Sequence, residues 1–352
     1  MPPQDRPIIV IGTRLHTYPR NHVILATLAT VHPTREIELV SDRDYWGCFR
    51  ALFCNGERPE TILFVQPAQR FAPLIFLYRL THRTHIIADA FTSAHDSLVA
   101  DRRLVARYSP RALYHFAMDW LFVRSADTVL VDTEEHADYF RKKFGISDEP
   151  RIIVVPVTVD LGVMDRVVPK HLPDPEAFNV LFWGYYIPLQ GVEHIIRAAH
   201  ILKDHPRTRF TLIGNGQTKP IVEKLAKELD TTNVTFLSRM PYEELLAYTK
   251  GADLLLGVFG ESGKAARVVP NKVVDAAALG KPIVTGETPP VARFFKDGES
   301  VFFCRTADPE DLAQTILRAY NAHDRDKVGA AAREVVKSHF SVDALRFILS
   351  TL

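Results

Sequence analysis

Short continuous apolar runs, rich in Val and Ile, alternate along this chain with longer segments in which apolar residues recur at helical spacing. Such runs read as strands of a parallel sheet buried on both faces, and the segments between them as the covering helices. In the first half, strands are expected at Pro7–Ile11, Ile37–Val40, Thr61–Val65, His85–Ala88, Thr128–Val131 and Ile152–Val155. The clearest helices there are Asn21–Val31, Pro110–Arg124 and Glu134–Phe144, the last stopped by Gly145. The rhythm breaks at Val159–Ala177, where charges gather with Pro169, Pro173 and Pro175, so the linker is placed there.

Beyond the break the alternation sharpens. Strands are expected at Val180–Trp183, Arg209–Ile213, Val234–Leu237, Leu254–Phe259, Pro282–Thr285 and Val301–Cys304. Helices are expected at Val192–Asp204, Lys219–Leu229, Tyr242–Thr249, Asn271–Leu279 and Pro309–Asn321. Asp308-Pro309-Glu310-Asp311 gives the last of these a cap, a first-turn proline and two acids at the positive end of its dipole. The pattern predicts an α/β chain of two Rossmann-like, doubly wound domains facing each other across a cleft. Residues 1–165 form the first, 166–335 the second, and 336–352 a C-terminal helix packing back on the first. Open sheets of this kind bind ligands beyond the carboxyl ends of their strands.

A length of 352 residues agrees with two cores rather than one. Lys plus Arg number 43 against 42 for Asp plus Glu, so no global field draws the chain to nucleic acid or an anionic surface. The three cysteines, Cys48, Cys54 and Cys304, have neither metal-ligand spacing nor a disulfide framework, and read as buried, reduced thiols of a cytoplasmic protein. The opening run MPPQDRPIIVIG lacks a basic lead and a cleavage site and reads as a first strand; no run is long enough to span a bilayer.

Chemistry concentrates between Phe259 and Val284. Lys264, Arg267 and Lys272 stand on or beside a loop that opens a helix near Pro270 and Asn271, whose N–H groups and dipole attract anions. Asp275, three residues past Lys272, shares its helix face and can accept two ribose hydroxyls while Lys272 holds phosphate. A solvated loop followed by a core helix has the same spacing, and spacing does not separate the two.

The run Lys264-Ala-Ala-Arg-Val-Val-Pro-Asn-Lys-Val-Val-Asp275, continuing to Gly280-Lys-Pro-Ile-Val-Thr, resembles the donor motif of retaining glycosyltransferases of family four, in a subgroup with a Pro-Asn-Lys signature. Trp183-Gly-Tyr-Tyr-Ile-Pro-Leu-Gln-Gly-Val-Glu is similar to the segment that meets the diphosphate there, and Leu212-Ile-Gly-Asn-Gly to the following glycine turn. The resemblance covers Asn179–Asn321. It implies the GT-B fold, transfer of a sugar with retention from a nucleoside-diphosphate sugar to a saccharide or lipid-linked hydroxyl, and a place in cell-surface polysaccharide or glycolipid synthesis. It implies donor contacts from Gly184, Gln190, Gly214, Lys264, Asn271 and Asp275, with Arg267 and Lys272 stabilising the departing diphosphate. No cofactor or metal is implied, the cations doing the neutralising. The commoner pattern has glutamates where Arg267 and Asp275 stand and a lysine at Gln190.

In the first domain, Gly12 follows the first strand and can bring backbone N–H groups to the leaving phosphate; a turn glycine with positive φ is the other reading. Ile87-Ala-Asp-Ala-Phe-Thr-Ser-Ala-His-Asp-Ser enters a loop and places Asp89, His95 and Asp96 at the expected cleft rim. It resembles the subgroup's Asp-x-Phe-x-Ser-x-x-Asp segment, and His95 with Asp96 would steer or deprotonate the acceptor hydroxyl. An ordinary capping loop is the alternative.

His16, His22, His82 and His85 lack zinc spacing, the glycines after Ile213 lack the dinucleotide fingerprint, and the tryptophans form no ladder for single strands. Phe71–Leu80, with Arg70, Arg79 and Arg83, is either a core helix or a surface resting on the inner face of a membrane, the peripheral contact a lipid-linked acceptor requires. Two rival functions stay open: an epimerase of the same architecture, which would isomerise the donor without an acceptor, and a catalytically degenerate nucleotide-sugar-binding partner.

Overall fold

The structure, a computed structural model, describes residues 6–352 except 55, 57, 148, 173, 175 and 206. The chain divides into two compact units: Met1–Thr158 together with Val342–Leu352, and Val159–Ser341. Pro173 and Pro175, counted toward the linker, lie outside the described residues.

Unit 1 is a parallel sheet of β1 (Ile8–Gly12), β2 (Thr34–Glu38), β3 (Thr61–Phe64), β4 (His85–Asp89), β5 (Thr128–Val131) and β6 (Arg151–Val154), in the order β2-β1-β3-β4-β5-β6. Alternate side chains of the inner strands serve two cores. Ile9, Ile11, Phe64 and Val129 pack under helices Tyr45–Phe53, Ala72–Thr81, Pro110–Arg124 and Glu134–Phe144. Val10, Leu63 and Leu130 pack on the other face against Ile24 and Leu28 of Pro19–Leu28 and Leu345 and Leu349 of Val342–Leu349. Each fully buried aliphatic side chain contributes about 1.5–3 kcal/mol, which is why strands this short hold.

Unit 2 continues with β7 (Phe178–Tyr185), β8 (Thr208–Asn215), β9 (Val234–Leu237), β10 (Leu254–Leu256), β11 (Ile283–Gly286) and β12 (Phe302–Cys304), all parallel, in the order β12-β11-β10-β7-β8-β9. The first strand of the unit, β7, lies between the second and the fourth, so the winding reverses between β7 and β10 and leaves a crevice beyond their carboxyl ends. Phe182, Leu212, Leu256 and Val284 form its core with Ile195, Ile196, Leu312 and Ile316. Asp308 caps Pro309–Asn321 as its sequence predicts, accepting from the Asp311 N–H at 2.9 Å.

Four expectations are corrected. The second strand is Thr34–Glu38 rather than Ile37–Val40: it is an edge strand, so its residues are mostly polar, and Val40 lies past its end at 94% exposure. The linker segment contains a short helix, Leu161–Asp165, started by Asp160 accepting from the Gly162 and Val163 N–H groups. Cys54 is exposed because it ends helix Tyr45–Phe53, whereas Cys48 and Cys304 are buried and their thiols pushed up by burial, Cys48 to about 12. Ala72–Thr81 is not wholly a core helix, since Phe76, Leu77 and Leu80 are exposed.

Candidate functional site

The crevice of unit 2 is built on two glycines. β7 and β8 run side by side to their ends with Gly184 opposite Gly214 and Tyr185 opposite Asn215. Gly214 has φ +143°, and a Cβ there would lie 2.0 Å from the Gly184 carbonyl oxygen, so any side chain would push the strands apart. Gly184, φ +144°, leaves room of another kind: its Cβ would come within 3.1 Å of Lys272 Nζ.

Lys272 sits in the first turn of helix Asn271–Ala278, which starts after Pro270 with no side-chain cap. It is 6% exposed. Its Nζ donates to Gln190 Oε1 at 2.5 Å and lies 3.7 Å from the centre of the Phe182 ring. Burial lowers its pKa well below the ordinary lysine value. Gln190 is held in turn, because the Phe259 N–H donates to its carbonyl at 3.1 Å and ties the loop after β10 to the loop after β7. Lys272 and Gln190 therefore meet where the winding reverses.

Asp275, one turn further on, is 8% exposed and accepts from the Tyr242 hydroxyl at 3.2 Å. Burial pushes its carboxyl up to about 7, against the pull of the Tyr242 hydrogen bond; burial, and then the Asp275 charge, raise the Tyr242 hydroxyl. Lys264 and Arg267 are half-buried around the 3-10 turn Ala265–Arg267, between β10 and the helix, and Asn271 is exposed at the helix start. Beside these groups opens a cleft of about 210 Å³, lined in part by Trp183, Tyr185, Asn215, Arg239 and Tyr242, with the Arg239 guanidinium 5.6 Å from the Tyr185 ring centre. A wider groove near Thr231 and Val234 lies at the opening of β9, the opposite edge of the sheet, and holds none of the candidate residues.

In unit 1 the structure separates the residues expected together. Asp89 is not at a rim: it is fully buried, with both carboxylate oxygens held by Arg20 at 2.9–3.2 Å, and Arg20 also donates to the Val155 carbonyl. It anchors the chain rather than facing a ligand. His95 and Asp96 lie on a turn leading into a single wide helical turn, Asp96–Asp101. That turn is gripped by a carboxylate from another helix. Asp119 accepts from Ser93 Oγ at 2.7 Å, the His95 N–H at 2.8 Å and the Ala94 N–H at 3.1 Å, while Ser93 Oγ accepts from the Asp96 N–H at 2.9 Å. Burial raises the Asp119 carboxyl to about 6 despite these bonds.

The His95 ring is half-buried, and its Nδ1 is shielded with no hydrogen-bond partner among the described residues. Burial, then Lys143, lowers its pKa, which favours the neutral imidazole. Asp96 is buried at the same turn. Gly12 is the buried last residue of β1, and its φ is not positive. Among the described residues, no group of three or more His, Cys, Asp or Glu is placed to hold a metal, and no helix is long and apolar enough to cross a membrane.

Sequence reasoning missed Asp119, Tyr242 and Arg239. Asp119 looks like one more polar residue on an amphipathic helix, and Tyr242 lies 33 residues from Asp275. The only local signal was the isolated acid in the apolar run Phe116–Val123.

Two parallel six-stranded sheets with alternating helices are the fold of GT-B glycosyltransferase structures. Sucrose-phosphate synthase from Thermosynechococcus elongatus has it, with a TM-score of 0.75 over 98% of each chain at 16% identity. So does Anabaena HepE, solved with UDP and glucose, with a TM-score of 0.72 over 98% of this chain and all of that one at 14% identity. More particularly, residues 164–335 match the family described as glycosyl transferases group 1. That stretch contains Gly184, Gln190, Gly214 and Lys264 through Asp275. A D-inositol 3-phosphate glycosyltransferase from Streptomyces bingchenggensis is 28% identical over 220 residues, 56% of this chain and 46% of that protein. The chain spans less than half the length of the first curated relatives it matches.

Proposed function

We propose that this chain transfers a glycosyl group, of hexose type, from a nucleoside-diphosphate sugar to a hydroxyl of a saccharide or lipid-linked acceptor, with retention of configuration. The carrying observation is Lys272, buried under Gly184 and bonded only to the neutral Gln190 among hydrogen-bond and ion partners in the described residues. A lysine kept from water beside an uncapped helix start is a site that a diphosphate completes.

In this reading unit 2 holds the donor. Lys272, Lys264 and Arg267 take the diphosphate, Asp275 accepts from the ribose hydroxyls, and the base enters the cleft beside Tyr185 and Arg239. The bond from the anomeric carbon to the phosphate oxygen breaks with its electron pair going to the diphosphate, while the acceptor oxygen bonds the same carbon. The acceptor's proton passes to the leaving phosphate oxygen, with His95 and Asp96 orienting the hydroxyl. Positive side chains stabilise the charge as it grows on the diphosphate, so no metal or cofactor enters the scheme. The family-four motif supports retention and a role in cell-surface polysaccharide or glycolipid synthesis. Peripheral contact of a cytoplasmic chain with the inner face of a membrane belongs to the same reading, since a lipid-linked acceptor is met at its bilayer.

The test is thermal shift against nucleoside diphosphates and their sugars, led by UDP, followed by product analysis with and without acceptor. Stabilisation by one diphosphate series, and transfer that survives a chelator, are expected. Isomerised donor in the absence of acceptor would assign the epimerase instead, and no response to any nucleotide would end the proposal.

A further inference from the structure

Helices Tyr45–Phe53, Ala72–Thr81 and Pro110–Arg124 lie side by side over one face of the unit 1 sheet. Their inward residues build that core. Their outward residues are not those of an ordinary solvated layer. On the middle helix Pro73, Phe76, Leu77 and Leu80 are all exposed, and their spacing of three, four and seven residues makes one unbroken apolar stripe. The flanking helices add Trp46 at 65% exposure, Leu113 at 68% and the half-exposed Trp120. The stripes adjoin, because Tyr45 at the start of the first helix packs on the Phe71 ring at 5.8 Å and hydrogen-bonds the Tyr114 side chain of the third.

The charge of the layer is equally one-sided. Arg50, Arg83, Arg103, Arg107 and Arg111 are exposed on these helices or the turns beside them. Between residues 61 and 124 every acid, namely Asp89, Asp96, Asp101 and Asp119, is buried, while Asp42 and Glu60, which flank the first helix, are partly exposed and ion-paired with Arg70 and Arg6. A chain with balanced overall charge thus presents one face that is both greasy and positive.

We propose that this face docks on an anionic lipid bilayer, with Trp46, Phe76, Leu77, Leu80 and Leu113 entering the headgroup boundary and the arginines meeting lipid phosphates. The inference deepens the peripheral placement proposed above and rests on it, but it uses no residue of the donor site. Apolar area of this kind gains most at an acyl boundary, and each basic residue adds attraction to an anionic surface. A second copy is a poorer occupant: a self-complementary interface sets the same arginines against their own images, and the partly exposed acids at the border of the face, Asp42 and Glu60, are already paired with Arg70 and Arg6.

Co-sedimentation of the full chain with vesicles tests it, using phosphatidylcholine alone and phosphatidylcholine with about one-third phosphatidylglycerol. The chain should pellet with the anionic vesicles at low salt and be released at about 0.5 M salt. A Leu80→Glu/Leu113→Glu variant should bind at least about tenfold more weakly, and so should Arg83→Glu/Arg111→Glu, which alters no packed side chain. Both should melt like the native chain and keep its nucleotide response. Native protein that ignores both vesicles, or variants that pellet as the native chain does, would overturn the proposal. So would a concentration-dependent dimer abolished by Leu80→Glu/Leu113→Glu without vesicle binding. A retained nucleotide-induced thermal shift without vesicle binding sinks this surface and leaves the donor reading standing; the reverse pattern does the opposite.

Discussion

Replacing Lys272 by Met keeps the length and apolar stem of the side chain against Phe182 while removing the ammonium group. In the empty chain that charge is costly, since Nζ is buried and has one neutral hydrogen-bond acceptor, Gln190 Oε1, plus the face of Phe182. The variant should therefore melt at or above the native temperature. Binding should tell the opposite story. A phosphate oxygen brought within about 4 Å of the ammonium gains on the order of 4 kcal/mol at an effective dielectric of 20, part of which is spent on desolvating the phosphate. A loss of about 2–3 kcal/mol, roughly 30- to 150-fold in Kd, is expected for the variant.

A second signature follows from the lowered pKa of Lys272. As pH rises the empty site loses its proton earlier than an ordinary lysine, and an arriving diphosphate draws that proton back. Titration calorimetry of the diphosphate at about pH 8 in two buffers of different ionisation enthalpy measures the uptake directly. The native chain should take up protons as nucleotide binds, and Lys272→Met none. Equal Kd and equal buffer dependence for the two proteins would refute the argument, because they would mean that nothing anionic comes near Nζ.

Asp275→Asn addresses the other end of the site. The folded carboxyl titrates near 7 and the unfolded one near 3.8, so between those values the native state keeps a proton that the unfolded chain has released. Native stability is then lost as pH rises from about 4 to 7, by up to roughly 4 kcal/mol, and the Asn variant should be free of that slope in urea melts at about pH 5 and 8. Asp119→Ala should release the turn carrying His95 and Asp96, lowering transfer by about tenfold to a hundredfold while the nucleotide Kd is unchanged; equal losses in both would show general unfolding. Gly214→Ala, forced to φ +143° and against the Gly184 carbonyl, should cost at least about 3 kcal/mol in a thermal or urea melt.

The strands were legible because parallel strands buried on both faces must be apolar throughout: Ile8–Gly12 and Thr128–Val131 are fully buried and read as such. The same rule fails for Thr34–Glu38, which has one neighbour and little to bury. It fails again for Ala72–Thr81, where a helix apolar on both sides looks like core although half of it faces outward. At the candidate site, spacing put Lys272 and Asp275 on one helix face but did not separate a ligand site from a core helix, and the structure buries both. Their partners were not readable, since Gln190 and Tyr242 reach them through the order of the strands, which no local pattern records. Asp89 misled for a related reason: a carboxylate at a strand end resembles a ligand group until the buried Arg20, 69 residues away, is seen to hold it.

Lys272 and Asp275 share a helix face, yet no ion pair joins them among the described residues; each is bonded to a neutral group, and burial pushes each toward its uncharged form. Had they paired, a donor would have to part a buried salt bridge before meeting either one. Gln190→Glu tests whether this neutrality matters. It sets a carboxylate oxygen where Oε1 now lies, 2.5 Å from Nζ, with little change of shape. The new pair should hold Lys272 charged, raise the melting temperature of the empty chain, and occupy the cation against its ligand. Diphosphate affinity should fall by about tenfold or more, and the proton uptake seen in two-buffer calorimetry should vanish. An unchanged nucleotide affinity in Gln190→Glu would mean that Lys272 meets no phosphate, whatever the helix around it suggests.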